Sequence, residues 1–278
     1  MNNENNRYAL VTGASSGIGA DYAWQLAVER NYNLVVTSRR SEQLEELKSK
    51  ILKQFDGENT RKPEIIVITA DLSKSEGVMD LIAGVEGHNV DIDLLVNNAG
   101  FGSLGGFLDA SIEWEADMVR VNCLAPLTLT HYFLPKMLQS ERKGCGVINV
   151  CSTASFQPIP IMATYGATKA FLYNFTRAVA KEVQGTGVTV MANCPGPTKS
   201  EFSKVIGLDT KVPWMPGMTS EKVVRQALDG FEKGKRVVIN GVFNKICTFI
   251  GRHFPVEWTS AIVMKGKKGR LVVNGKTL

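Results

Sequence analysis

Short continuous apolar runs recur along the chain, and most are followed by a longer stretch with large apolar residues every three or four positions. Runs of this kind read as strands covered on both faces, and the spaced stretches as amphipathic helices. "YALVTGAS" (8–15) predicts a strand and a glycine-rich turn, with a helix from Gly17 to about Arg30. "NLVVTSR" (33–39) is the second strand. "SEQLEELKSKILKQF" (41–55) carries Leu44, Leu47, Ile51 and Phe55 on one helical face. "EIIVITADL", "DLLVNNAG", "GVINVCS", "GVTVMANCPG" and "KRVVIN" supply strands three to seven, and long helices are expected over roughly 109–139 and 162–184. This alternation predicts βαβ units and an α/β fold: a doubly wound parallel sheet of about seven strands with helices on both faces. No linker or repeat divides the chain. The Pro-, Gly- and Thr-rich stretch 195–219 reads as a loop beside the sheet. Residues 1–241 are therefore expected to form one domain, with 242–278 as a C-terminal extension of it.

Composition adds constraints. The 278 residues are 44% hydrophobic and 21% charged, an ordinary globular balance. No apolar run reaches the 18 or so residues of a membrane span, and the first ten residues lack a signal-peptide core. Five cysteines without a C-x-x-C pair predict reduced, mostly buried thiols in a cytoplasmic protein. Three scattered histidines give no metal site. The net charge of +5 is local, because Lys265, Lys267, Lys268, Arg270 and Lys276 carry it in a tail without acids. Without these five the chain holds 27 bases against 27 acids. A neutral body without a basic, aromatic-laced stripe excludes nucleic acid as a partner. The tail reads as a solvated end, with anionic lipid or an acidic partner as the alternatives; membrane contact is peripheral at most.

Between the first strand and its helix, "TGASSGIG" (12–19) places Gly13, Gly17 and Gly19. Glycines there permit a tight turn and let the backbone approach a pyrophosphate at the helix N-terminus. At the end of the second strand, where an acid would bond the ribose of NAD, the chain reads "TSRR": Ser38, Arg39, Arg40. No carboxylate repels a 2′-phosphate there and two guanidiniums can bind one, so the expected cofactor is NADP(H), with Arg39 as the principal contact.

"TGASSGIG", "NNAG" (97–100), Asn122 in "VRVNCLAP", Ser152, "YGATK" (165–169) and "PGPT" (195–198) occur in the order and spacing of the short-chain dehydrogenase/reductase family, which the chain resembles over roughly 7–240. The resemblance implies a catalytic set of Asn122, Ser152, Tyr165 and Lys169. Tyr165 exchanges a proton with the reacting oxygen and Ser152 hydrogen-bonds that oxygen. Lys169 tunes Tyr165 and bonds the nicotinamide ribose, and Asn122 holds a water linking Lys169 to solvent. Because Tyr165 and Lys169 share a helix face, the ammonium is expected to pull the phenol below its usual pKa of about 10. The implied cofactor set is Gly13, Ser15, Ser16, Gly17, Ile18 and Gly19, then Ser38, Arg39 and Arg40. It continues with Asp71 and Leu72, then Asn98, Ala99 and Gly100, then Pro195, Gly196 and Thr198, and shares Tyr165 and Lys169 with the catalytic set. A homodimer or homotetramer is also implied. Cys123 and Cys151, beside catalytic positions, are expected to be packed rather than nucleophilic.

Phe101, Phe156, Ile159, Ile161 and Met162 flank the expected reaction centre. Phe202, Val205, Ile206, Trp214, Met215 and Met218 follow "PGPT". With no base between Ser152 and Tyr165 to grip an anion, the substrate is expected to be a bulky apolar ketone or alcohol. A hydroxysteroid comes first and a 3-oxoacyl thioester is the alternative; a non-catalytic NADP-binding sensor is a distant third. Beyond 240 the resemblance ends. Residues 242–264 place Phe243, Ile246, Phe249, Ile250, Phe254, Trp258 and Ile262 largely at helical spacing, with Pro255 as a break. A lid over the substrate site is expected there, with a subunit interface or a membrane-surface segment as alternatives.

Overall fold

The computed structural model describes residues 6–57, 61–140, 142–199, 217–255 and 257, and the strand pairs 272–273 and 276–277. Seven parallel strands form the central sheet in the order β3-β2-β1-β4-β5-β6-β9. They are β1 (Tyr8–Thr12), β2 (Asn33–Ser38), β3 (Ile65–Thr69), β4 (Ile92–Asn97), β5 (Gly146–Val150), β6 (Thr189–Cys194) and β9 (Val237–Ile239). The doubly wound sheet predicted from the apolar runs is present. Two short strands, β7 (Thr198–Lys199) and β8 (Met218–Thr219), pair apart from it.

The strands lack polar alternation because both faces are covered. Ala9, Val11, Leu34 and Val36 pack with α1 (Gly17–Arg30), α2 (Ser41–Leu52) and α7 (Ser220–Glu232). Tyr8, Leu10, Val35 and Ile66 face α3 (Ser75–Gly87), α5 (Ala125–Gln139) and α6 (Ala163–Glu182) on the other side. The strand order reverses between β1 and β4, which places a crevice at their carboxyl ends. The glycine turn leaves β1 into this crevice and Asn97–Gly100 leaves β4 beside it.

The helix expected over 109–139 is interrupted. It divides into α4 (Ile112–Val119), a π-helical turn over Arg120–Leu124, and α5. In the π turn the Ala125 N–H reaches back five residues to the Arg120 carbonyl. Pro126, which has no N–H, follows directly and cannot restore the ordinary ladder over this turn. A buried chain of polar side chains ties the strands under the crevice to α6. Asn97 Nδ2 donates to Asn149 Oδ1 at 2.8 Å, and Asn149 Nδ2 donates to Thr176 Oγ1 at 2.8 Å.

Candidate active site

The glycine turn closes against the end of β4. Gly13 has φ +66°, and a Cβ on it would lie 2.8 Å from the Ala99 Cα. A Cβ on Gly19 would lie 2.2 Å from the Gly13 carbonyl oxygen and 2.4 Å from Asn98 Nδ2. Asn98 Nδ2 donates to the Thr12 carbonyl (2.9 Å) and the Gly13 carbonyl (3.2 Å). Thr12 Oγ1 accepts the Asn98 and Ala99 N–H groups at 3.0 Å each. Thr12 was not among the residues expected from sequence, yet it stitches the two halves of the crevice. α1 then begins with no acid in its first turn, so its positive end carries no carboxylate of its own. Ile18 turns into the core beneath. The residues present fit a dinucleotide pyrophosphate: only glycine fits at the two closest approaches.

Arg40 departs from expectation. Its Nη2 donates to Ser15 Oγ (2.9 Å) and Ser16 Oγ (2.8 Å), and its Nε to Ser15 Oγ (3.2 Å). Arg40, not Arg39, is thus the guanidinium laid against the glycine turn. Ser38 explains the bend that aims it, since its Oγ accepts the Arg40 N–H at 3.1 Å. Arg39 is exposed and its charge acts on Asp71 instead. Burial works to raise the Asp71 carboxyl, but hydrogen bonds from the Ser73 N–H and hydroxyl, with Arg39 and Lys74, outweigh it and hold Asp71 below the usual carboxylate range. Leu72 is buried beside it.

Ser152, at the end of β5, caps a 3₁₀ turn (Thr153–Phe156), its Oγ accepting the Ala154 N–H at 3.1 Å. α6 carries Tyr165 and Lys169, both buried. Lys169 Nζ donates to the Val150 carbonyl at 2.8 Å and stands 5.9 Å from the centre of the Tyr165 ring. Gly100 lets the β4 loop meet this pair. A Cβ there would lie 2.9 Å from Asn122 Oδ1 and 3.4 Å from Lys169 Nζ. The π turn aims the Asn122 amide at the same loop. Its Oδ1 accepts the Phe101 N–H (3.2 Å), and its Nδ2 donates to the Phe101 carbonyl (2.9 Å) and Thr168 Oγ1 (3.0 Å). The four expected catalytic residues therefore converge, joined by Thr168, which lies inside "YGATK" but had been given no role there.

The expected fall in the Tyr165 pKa is reversed. Burial pushes the phenol up to about 12, and its hydrogen bond with Ser152 opposes this only in part. Lys169 does not correct it, because its ammonium is turned to the Val150 carbonyl and is itself pushed down by burial. Burial likewise raises the Cys123 thiol to about 11, so it stays packed and protonated. No disulfide occurs among the described cysteines; four are buried and Cys247 partly so.

Around Tyr165 the lining is apolar. Met118, Ala154 and Met162 cluster with it, and Phe101, Leu104 and Ile159 pack at the edge. Ile161, next to this lining, holds a left-handed φ of +64°, a strained position for a β-branched residue. The Pro195 carbonyl accepts the Thr153 N–H at 2.9 Å, and Thr198 Oγ1 donates to the Gly196 carbonyl at 2.9 Å. These bonds bring the "PGPT" loop beside the Ser152 turn. Phe202, Val205, Ile206, Trp214 and Met215 lie outside the described residues, as do Trp258 and Ile262.

The C-terminal helix, α8 (Val242–His253), docks on this wall by a polar face of Asn244, Thr248 and Gly251. A Cβ on Gly196 would strike Asn244 at 2.4 Å, and one on Gly251 would strike Gln157 Oε1 at 2.4 Å. Arg252 lies 4.3 Å over the Phe156 ring and donates to the Tyr173 hydroxyl. The large residues expected to form a lid point the other way. Phe243, Ile246, Phe249 and Ile250 are exposed, because the face that fits the wall is the polar one.

A short chain dehydrogenase family model matches residues 7–211. A serine 3-dehydrogenase of Rhizobium radiobacter is 35% identical over 199 residues, 70% of this chain and 74% of that protein. Hydroxysteroid dehydrogenase-like protein 1 of Gallus gallus is 36% identical over 68% of this chain but only 55% of its own length. A very-long-chain 3-oxoacyl-CoA reductase of Anas platyrhynchos is 33% identical over 80% of this chain and 67% of its own. Among solved structures, a short-chain dehydrogenase from Sphingobium yanoikuyae in complex with NADPH has a TM-score of 0.74 at 28% identity, covering 93% of both chains. A 7β-hydroxysteroid dehydrogenase has a TM-score of 0.80 at 26% identity, covering 94% of this chain and 98% of its own. The crevice, the converging Ser152, Tyr165 and Lys169, and the extent of these matches lead to one conclusion: the chain belongs to the short-chain dehydrogenase/reductase family of nicotinamide-dependent oxidoreductases acting on alcohol and keto groups.

Proposed function

We propose that the protein is an NADP(H)-dependent reductase of bulky apolar ketones, with a ketosteroid/hydroxysteroid pair as the first substrate class and a long-chain 3-oxoacyl thioester as the second. The observation that carries this reading is the buried Tyr165, hydrogen-bonded with Ser152, held neutral by its surroundings and lined by apolar side chains. A phenol with a pKa of about 12 is fully protonated at neutral pH and serves as the proton donor that reduction of a carbonyl requires. The nicotinamide, when bound, supplies the hydride to the carbonyl carbon. Tyr165 gives its proton to the carbonyl oxygen, and the Ser152 hydroxyl donates a hydrogen bond to the same oxygen as charge develops. Lys169, with one N–H held by the Val150 carbonyl, keeps two more that would bond a ribose hydroxyl of the cofactor.

The Arg40 cradle over Ser15 and Ser16 and the absence of an acid at the end of β2 favour the 2′-phosphate of NADP. The lining of Met118, Phe101, Leu104, Ile159 and Met162 favours an apolar substrate over a zwitterion like serine, whose charges would be left unpaired there. A homo-oligomer is supported by the exposed Trp114, Val119, Leu124 and Leu138 along α4, the π turn and α5. A screen of ketosteroids, 3-oxoacyl thioesters and small polar ketones with NADPH, read by absorbance loss, tests the substrate reading. Turnover confined to the polar ketones would sink it. In the same assay Tyr165→Phe is expected to lose at least about 10²-fold in kcat while keeping NADPH affinity; full activity would refute the assigned proton donor.

A further inference from the structure

We infer that α8 is a docking helix for an anionic lipid surface. Its twelve residues are arranged oppositely to an ordinary surface helix: polar Asn244 and Thr248, with Gly251, face the protein, and the large apolar side chains face outward. At 100° per residue, Val242, Phe243, Ile246, Phe249 and Ile250 fall within one arc of about 120°. All five are exposed, from 39% for Ile250 to 73% for Val242, and Phe254 continues the row at 47%. The helix is held firmly, by Asn244 against Gly196 and by Arg252 against Phe156 and Tyr173, so its outward face is presented rather than loose.

Charge decides what fits this face. α8 contains no acid, and Lys245 and His253 are exposed on it. From Val242 to Leu278 the sequence carries seven Lys or Arg against the single acid Glu257, whereas the residues before it hold slightly more acid than base. The positive excess of the whole chain thus lies in the segment that bears the apolar stripe. An apolar stripe in a segment rich in bases and poor in acids is the composition that lies flat in the interface of an anionic bilayer. A second copy fits less well. A two-fold contact would set two acid-free helices together, with the exposed Lys245 of each left without a carboxylate to pair it. Pro255 and the length of the helix preclude spanning, so the protein would lie on the membrane rather than cross it.

The test uses the full chain and vesicles of phosphatidylcholine, alone or with about 30% phosphatidylserine. The intact protein is expected to sediment with the anionic vesicles, to be released in high salt, and to stay in solution with the neutral ones. Ile246→Asp combined with Phe249→Asp alters only outward side chains; it is expected to lower the bound fraction at least about tenfold, with NADPH binding and melting temperature unchanged. Lys245→Glu is expected to weaken the salt-sensitive part of the binding; unchanged salt release in this variant would overturn the proposed contact. An intact protein left in the supernatant with anionic vesicles would overturn the proposal. So would an Asp double variant that binds vesicles like the parent, one that runs at half the parent's mass on a sizing column, or one changed only in a raised KM for bulky ketones.

Discussion

Arg40 makes the most direct residue-scale prediction. Its guanidinium is already fixed by two serine hydroxyls, so a 2′-phosphate would displace no disordered side chain to reach it. Arg40→Asp is expected to reduce the ratio of kcat/KM for NADPH to that for NADH by at least about tenfold, roughly 1.4 kcal/mol. Arg39→Asp should have the smaller effect, because Arg39 acts on Asp71 and makes no comparable contact with the turn. Measuring both variants with both cofactors checks this; a larger loss from Arg39→Asp would restore the assignment expected from the sequence. The two arginines were legible in "TSRR", but their ranking was not. It depends on how the Ser38 hydroxyl turns the Arg40 backbone, which no spacing encodes. The Tyr165 phenol teaches the same lesson. The i, i+4 spacing correctly placed Lys169 on its face, but the direction of the shift follows from burial and from the Val150 carbonyl, both of which are tertiary facts.

At the scale of elements, the glycine turn and the helices it abuts were readable to different degrees. All seven sheet strands were visible as apolar runs because a strand covered on both faces has no alternating polar positions to dilute it. α3 was not. Val78, Leu81, Ile82 and Val85 have helical spacing, but Gly77, Gly84 and Gly87 weaken its propensity. Two of these glycines are explained only by packing: a Cβ on Gly77 would lie 2.2 Å from the Asp71 carbonyl oxygen, and one on Gly84 3.0 Å from Ile68. α7 carried a clear signal in Val223, Val224, Ala227, Leu228 and Phe231 after the Thr219 cap, and was obscured by the loop-like composition just before it. The π turn had a visible cause in Pro126, but its consequence, the aim of Asn122, did not. This contrast between packed and open glycines gives a prediction. Gly19→Ala is expected to cost at least about 2 kcal/mol and to abolish cofactor binding, since its Cβ would meet the Gly13 carbonyl and Asn98. Gly87→Ala, with open space around it, should stabilise by up to about 1 kcal/mol. Thermal melts and an NADPH fluorescence titration of the two variants check the pair, and equal melting temperatures would show that the turn can open to admit a Cβ.

Across the whole molecule, four buried phenols link stability to pH. Burial raises Tyr22 and Tyr32 well above the usual tyrosine range, and Tyr8 and Tyr165 to about 12. A raised folded-state pKa means that the folded chain keeps its proton where the unfolded chain loses it. The stabilisation is fully present below about pH 10, where unfolded tyrosines are neutral, and is lost as pH rises through about 10 toward 12. For Tyr165 alone the difference amounts to roughly 2–3 kcal/mol. Burial also raises the Cys123 and Cys145 thiols to about 11, so the loss starts where unfolded thiols ionise, near about 8.5. The urea midpoint of the cofactor-free protein is therefore expected to be level from neutral pH to about 8.5, to fall gently to about 9.5 and to fall steeply beyond it. Tyr165→Phe, which has no proton to lose, should shallow that fall by about 1.4 kcal/mol per pH unit. The same burial sets a direction for catalysis. Below pH 10 the Tyr165 proton is available to a ketone, whereas oxidation of an alcohol needs the phenolate and must wait for higher pH. Reduction should thus be nearly independent of pH from 6 to 9 while oxidation climbs across the same range. Parallel pH profiles of kcat for the two directions would show that the bound cofactor, not burial, controls this proton.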